Sequence, residues 1–470
     1  MHRRDRGRLL SGASQIGRGG SAYWRFKYSN NAYCFCEYIR LNHACMGGIE
    51  ILVKDIQVHR GSLLVKYFSR RNPLPSALIA CGLLASACGS TSSSGSTGTT
   101  ASSAAPIRVG VITALSGPFA ALGSEGNGVQ AYFQSVNAHG GINGHKVQVF
   151  VGNDQFNPAL TPGVAAQLVG QDRVQMMCGI AGSADAAAIK PFLAANNVPD
   201  VAPASGTPTL VVPPTNTEYE VIPPYEPLAA SLVKYAVNVL HKTKIAIVYT
   251  NDDVGLPALA GAKWELQQLH LSLAAQVQFS LTATSLAPQA ALLKQSGADF
   301  VILWHVAAPL ALLVNDAAQI GYNPTWGGGF FAATPSFAQL TKNITSGNAY
   351  FVSPLDSTTA PVSAGYRAAV TKYQPSVSTT DINVMQGWTL GDACGAVIAK
   401  ATANGQSFSY SNLVKAANSL SLNDAYVHGL NWTPKSHLGL STAQVLRQEG
   451  SQFISVTGYE PMPNAPLTAG

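Results

Sequence analysis

Two tandem α/β units, each a parallel sheet covered by helices on both faces, follow from three features of this 470-residue chain. Short β-branched runs alternate with helical stretches between residues 107 and 202, in the order βαβαβαβ. The alternation breaks around 219–227 and then restarts. Charged side chains make up only 11% of the chain and hydrophobic ones 47%. A charged fraction below half of the usual ~25% suits a large buried core and argues against a disordered chain.

The first unit opens with a buried-type strand at 107–112, stopped by Leu115-Ser116-Gly117-Pro118. A helix is expected over 123–137, the turn chemistry His139-Gly140-Gly141-Ile142-Asn143-Gly144 follows, and 146–152 is a strand. Helices are then expected at 161–171 and 184–196, and strands at 174–178 and 200–202. In the second unit helices are expected at 229–240, 258–271, 286–296 and 310–320. Strands fall between them at 244–249, 275–281, 299–304 and 325–328. Residues 301–314 are nearly all apolar but short for a membrane span, so a core strand running into a helix is the better reading. Ser-Pro punctuation closes a run at 350–354, helices are expected near 363–374 and 383–403, and short strand-like runs recur at 427–432, 443–447 and 453–456. No repeat of solenoid period is present.

The formal charge of +6 is unevenly placed. Of 29 basic and 23 acidic residues, 13 and 4 fall in residues 1–87, which leaves 16 and 19 for the remainder. The body of the protein therefore lacks the electrostatic footprint of a nucleic-acid binder. Lys66, Arg70 and Arg71 precede an apolar stretch at 74–87 of signal-peptide length, which ends Ala85-Ser86-Ala87-Cys88. Small residues before a cysteine are similar to a bacterial lipobox, in which that cysteine is lipidated and becomes the mature N-terminus. Residues 88–105, almost purely Gly, Ser, Thr and Ala after Cys88, read as a flexible tether. A diacylglyceryl group on Cys88 would supply the two chains that stable anchoring needs. Residues 1–64 fit no signal peptide and show no clear element. They are expected to be a mis-assigned or disordered extension, with a true start at Val65 or, less well supported, Met46. Cys34, Cys36, His43 and Cys45 have the wrong spacing for a closed zinc site.

Five motifs occur in a telling order. They are Ala114-Leu115-Ser116-Gly117-Pro118, the Asn137–Gly144 turn, the loop from Gly179 to Asp185, Ala202-Pro203-Ala204-Ser205-Gly206-Thr207, and His428-Gly429-Leu430-Asn431-Trp432 with its continuation to Gly439. Together they resemble the leucine/isoleucine/valine-binding protein family, the solute receptors of branched-chain amino acid ABC importers, from about residue 106 to the end. The resemblance implies a type 1 periplasmic-binding architecture. Two Rossmann-like lobes, 106–221 with 354–425 and 222–353 with 426–466, would be joined by three hinge crossings near 220–226, 351–356 and 424–429. A ligand would lie between them, outside the carboxyl ends of the strands.

The implied site follows residue by residue. Ser183 opens a helix and matches the family's ligand-contacting serine, an N-cap role being the alternative. Ala204, Ser205, Gly206 and Thr207 match the segment that grips an α-amino acid head group; Gly206 stands where a threonine is expected, so Ser205 or Thr207 must supply the hydroxyl. Leu122 replaces an aromatic cleft wall, and Val254 stands where the family often has an aromatic residue. The loop Gly327-Gly328-Gly329-Phe330-Phe331 has no acid where amino-acid binders place one for the ligand ammonium. Tyr225 and Glu226 could supply that acid or serve only the hinge, and His305 is either a cleft residue or structural. Cys178 and Cys394 read as separate buried thiols, with a bond between them the alternative.

The sequence thus points to an exported, lipid-anchored receptor for a small carboxylate-type solute: a branched-chain amino acid or a related organic acid or amide. Its partners would be ABC permease and ATPase subunits, with no cofactor, metal or nucleic acid. A sensor of the same fold feeding a signalling partner is the alternative, and an exported enzyme the rival class; no Gly-x-Ser-x-Gly, HExxH or P-loop is present. Cys88→Ser in cells expressing the full chain is expected to move the protein from the membrane fraction to the medium or periplasm. Retention in the membrane fraction on immunoblotting would assign the anchor to the N-terminal segment instead.

Overall fold

In the computed structural model the described residues are 104–468, together with a short hairpin within 56–65. In that hairpin β1 (Ile56–His59) pairs antiparallel with β2 (Ser62–Val65), Ile56 opposite Val65, where the sequence suggests no clear element. The export signal, Cys88 and the tether up to residue 103 lie outside the described residues.

The first sheet contains β3 (Ala104–Thr113), β4 (His145–Asn153), β5 (Met176–Ile180), β6 (Asp200–Val201) and β7 (Glu218–Tyr219). Its order is β4-β3-β5-β6-β7, all parallel. The connections are α1 (Ser124–Ala138), α2 (Thr161–Gly170) and α3 (Ser183–Asn196).

After β7 the chain enters α4 (Tyr225–Asn238) and builds a second sheet. Its parallel part is β8 (Ile245–Tyr249), β9 (Ala275–Gln278), β10 (Phe300–Leu303), β11 (Thr325–Gly329) and β12 (Ala349–Ser353). The intervening helices are α5 (Gly255–Gln268), α6 (Ala287–Ser296), α7 (Ala307–Gln319) and α8 (Pro335–Thr345). The chain then returns to the first sheet with α9 (Ala364–Tyr373), α10 (Ile382–Ala401) and α11 (Tyr410–Ala417). A small pair, β13 (Ser421–Leu422) and β14 (Leu430–Asn431), precedes β15 (Thr442–Glu449), β16 (Gln452–Ser455) and β17 (Glu460–Pro461). β15 lies antiparallel against β12, so the second sheet runs β16-β15-β12-β11-β10-β8-β9.

The near-continuous apolar runs of the sequence have a simple cause: both faces of each parallel sheet are covered. On β10, Phe300 and Ile302 face one core while Val301 and Leu303 face another. On β8, Ile245 and Ile247 are opposed to Ala246 and Val248 in the same way. The apolar stretch 301–314 is a core strand followed by a helix, β10 and then α7, and no helix among the described residues is long and apolar enough to cross a membrane.

Three local expectations need correction. Helix α8 was not expected, although Thr334 accepts a hydrogen bond from the Phe337 amide and Pro335 takes the first helical position, both start signals. Helix α11, capped by Ser409, was also not expected. Cys178 on β5 and Cys394 on α10 are joined as a disulfide rather than left as separate thiols, closing a sequence separation of 216 residues. In the chain-entropy picture a loop of that length is worth about 5 kcal/mol.

The tightest helix contact is between α1 and α10. A Cβ on Gly128 would overlap the Val384 carbonyl oxygen, and one on Gly387 would overlap the Glu125 carbonyl oxygen. Gly387→Ala is therefore expected to cost about 3 kcal/mol, the upper end for overpacking, in urea unfolding. Gly163→Ala on α2, where a Cβ meets nothing, is expected to be neutral or to stabilise by about 0.5–1 kcal/mol. Equal effects of the two would show that the α1–α10 approach does not depend on its glycines.

Candidate functional site

The loops that leave the carboxyl ends of both sheets converge on one cleft with about 550 Å³ of empty space, its open mouth included. That size suits a small organic molecule. Ala181, Gly182 and Ser183 follow β5, and Ala204 follows β6. From the second sheet come Val254 after β8, His305 and Val306 after β10, and Phe330 and Phe331 after β11. Leu122 and Tyr225 complete the set of sequence-selected residues in the wall.

Ser183 is the first residue of α3, with Gly182 as N-cap and no side-chain capping bond. Its hydroxyl is instead 2.7 Å from Ser205 Oγ, and Ser205 Oγ accepts from the Thr207 amide at 3.1 Å. The first-turn amides of a helix have no acceptor within it, so this end of α3 offers N–H groups and hydroxyls to an acidic head group. Asp185 in the same turn would oppose an anion if ionised, but burial and then Asp154 push its carboxyl up to about 7. Gly206 must be glycine, because a Cβ there would overlap the Pro223 carbonyl oxygen and meet the Tyr225 ring at 2.9 Å. Ser205, Gly206 and Thr207 therefore support the cleft from behind and do not line it. Tyr225 adds its N–H to the Gly206 carbonyl at 2.9 Å. Burial pushes the Tyr225 hydroxyl up to about 12, against hydrogen bonds from Gly206 and Ser183, so it stays neutral.

The second-lobe wall is aromatic. Tyr225, Trp304, Phe331 and Phe330 make successive edge contacts with centroids 5.2–6.2 Å apart. Val254 is placed by Asp252, whose carboxylate accepts from the Thr250 hydroxyl and the Val254 and Gly255 amides at the start of α5. His305 accepts the Val306 amide on Nδ1, which leaves the proton on Nε2. Burial lowers its pKa to about 4 despite the nearby Asp252, so the ring is neutral at pH 7.

Glu226 is not in the cleft. It is fully buried at the start of α4, and its Oε1 accepts from the Thr468 amide and hydroxyl at 2.7 and 2.6 Å. The acid that does line the cleft is Glu125 on α1, which the sequence reading missed, together with Phe156, Ile222, Asn383 and Gln386. Glu125 had a legible signal, since it shares the i, i+4, i+8 stripe of Val129 and Phe133, both buried. Asn383 and Gln386 had none: α10 reaches the cleft from some 200 residues beyond α3.

Comparison with known proteins agrees with this fold. A curated Leu/Ile/Val-binding protein homolog 7 from Brucella suis is 24% identical over 243 residues, 48% of this chain and 58% of that protein. The chain thus spans little more than half the length of that relative. A fatty acid ABC transporter substrate-binding protein from Thermomonospora curvata superimposes with TM-score 0.68 at 19% identity, covering 77% of this chain and 95% of that one. A branched chain amino acid ABC transporter structure from Thermus thermophilus with bound valine gives TM-score 0.67 at 18% identity, with 76% and 96% covered. Residues 106–452 match the family described as periplasmic binding protein, and with that match, the two helix-flanked sheets and the cleft between them, the chain belongs to this family.

Proposed function

We propose that the chain is an extracytoplasmic, lipid-anchored receptor of an ABC importer, which captures a small carboxylate between its lobes and closes on it by hinge motion. Residues 106–221 with 354–425 would form one lobe and 222–353 with 426–466 the other. The observation that carries this reading is the Ser183 hydroxyl at the N-terminus of α3, held from behind by Ser205 and facing an aromatic wall from the second sheet. Such a site offers donors to an acidic head group and apolar surface to its tail. The Cys178–Cys394 disulfide suits an exported protein. The valine and fatty acid named for two structural relatives are both carboxylates with an apolar body. Loading of permease and ATPase subunits, and anchoring through Cys88, complete the proposal.

Glu226 faces Thr468 and the loop at 327–331 carries no acid, so no acid of the second lobe lines the cleft beside an α-ammonium. An unpaired buried charge is costly. Aliphatic and aromatic carboxylates, and their amides, therefore fit better than branched-chain amino acids.

A thermal-shift screen of the twenty amino acids against short aliphatic and aromatic carboxylates tests the reading, since a ligand that binds only the native state raises the melting temperature. For the best ligand, Ser183→Ala is expected to weaken binding by about 1.5–3 kcal/mol, the worth of one hydrogen bond to a charged group. Unchanged affinity in calorimetry would reject this end of the cleft as the head-group seat.

A further inference from the structure

Glu125 is the one acid, and neither Lys nor Arg occurs, among the cleft-lining side chains of the described residues. It is 4% exposed. Its Oε2 accepts from Gln386 Nε2 at 3.0 Å, whereas its Oε1 is buried without a partner. That free oxygen lies 3.1 Å from where a Cβ on Gly179 would stand, near the carboxyl end of β5 and at the root of the loop that carries Ser183. With Oε2 engaged as an acceptor, Oε1 is the oxygen left to bear a proton.

The charged groups around it are all acids. Asp154 after β4 and Asp200 on β6 act on it or are acted on by it. Asp381 at the start of α10 accepts from Ser124, the residue next to Glu125, and Asp185 on α3 stands against Asp154. Burial first, and Asp154 second, push the Glu125 carboxyl up to about 8, so it is protonated at pH 7. A cationic ligand would have to ionise this group next to Asp154 with no other countercharge in the wall. An anionic ligand meets a neutral donor instead.

We propose that Glu125, oriented by Gln386, is the specificity-determining residue of the cleft, donating a hydrogen bond from its carboxyl O–H to the head group of a monocarboxylate that lacks an α-ammonium. This rests on the cleft reading above and narrows its ligand class. It also gives binding a defined pH dependence. The competent form is the protonated one, so affinity holds below the carboxyl's pKa and falls as pH rises through it.

The test is calorimetry on the purified full-length protein with two ligand pairs, 4-methylpentanoate with leucine and 3-phenylpropanoate with phenylalanine, each differing only by the ammonium. One acid is expected to bind at least about tenfold more tightly than its amino acid at pH 7. Its affinity is expected to fall about tenfold between pH 7 and pH 9, the loss of protonated fraction for a pKa near 8. Glu125→Gln, which keeps a donor but cannot ionise, is expected to abolish that fall, and Glu125→Ala to weaken the acid at least about tenfold. A pH-dependent fall that persists in Glu125→Gln assigns the proton to another group and overturns the proposal. Tighter binding of the amino acid, with dependence on Ser183, also overturns it while leaving the cleft reading intact. Failure of both pairs and of the whole thermal-shift panel overturns both readings.

Discussion

The packing of α10 onto α1 and β5 is the contact on which the rest depends. The first sheet is not finished by the residues that build its strands. It needs a helix that returns only after the parallel strands of the second sheet have been laid down, and that helix is held in three ways. Gly128 and Gly387 let the two backbones meet closely enough that any side chain would intrude. Cys178–Cys394 ties α10 to the central region of the sheet. Trp388 packs edge-on against Tyr132 of α1 and Tyr366 of α9. The same docking carries Gln386 to Glu125 and Asn383 to the cleft wall. Fold and site are therefore coupled: a change that loosens α10 also removes the orienting partner of the one cleft acid.

The cleft wall carries little formal charge. His305 is neutral because it is buried, Glu125 because it is buried beside another acid, and Tyr225 because burial holds its proton. What remains is a set of oriented dipoles: helix amides, the Ser183 hydroxyl, an imidazole N–H and a neutral carboxyl. In a dry site such dipoles are worth more than in water, and they need no counterions. The low charged fraction of the sequence thus has a local meaning as well as a global one. It reflects sheets covered on both faces, and it extends to a site whose donors are neutral.

Much of this was legible in the sequence for physical reasons. Parallel strands buried on both faces leave apolar runs that survive inspection, and α/β alternation places the ligand-bearing loops at strand ends. The resemblance to the binding-protein family pointed to Ser183, Ala204, Tyr225, Val254, His305 and Phe330, and all lie in the cleft wall. Gly206 looked like a lost hydroxyl but is a steric requirement, visible only once the Pro223 carbonyl is seen to pass beside it. Glu226 looked like a replacement acid because it is near a crossing. Whether a helical side chain turns inward or outward depends on which neighbour packs there, and here Thr468 takes it. Gln386 and the Cys178–Cys394 bond depend on contacts across more than 200 residues, for which local patterning holds no information.

The passes between the sheets are fastened to one another and not only to the lobes. The Glu220 amide donates to the His437 carbonyl, Trp432 Nε1 donates to the Glu220 carbonyl, and the Leu440 amide donates to the Val221 carbonyl. Gly439 lies against the backbone at Ile222 so closely that no side chain would fit. Nearby, Ser357 donates to the Phe453 carbonyl, Gln444 to the Leu355 carbonyl, and His428 stands 3.1 Å from Asp356. Backbone segments cross-linked in this way form one fastened bundle. The Tyr225 amide bonded to the Gly206 carbonyl belongs to the same bundle, directly behind Ser183 and Ser205. Ser183 thus sits against the fastened passes between the sheets, and the aromatic wall of the second sheet faces it across the cleft.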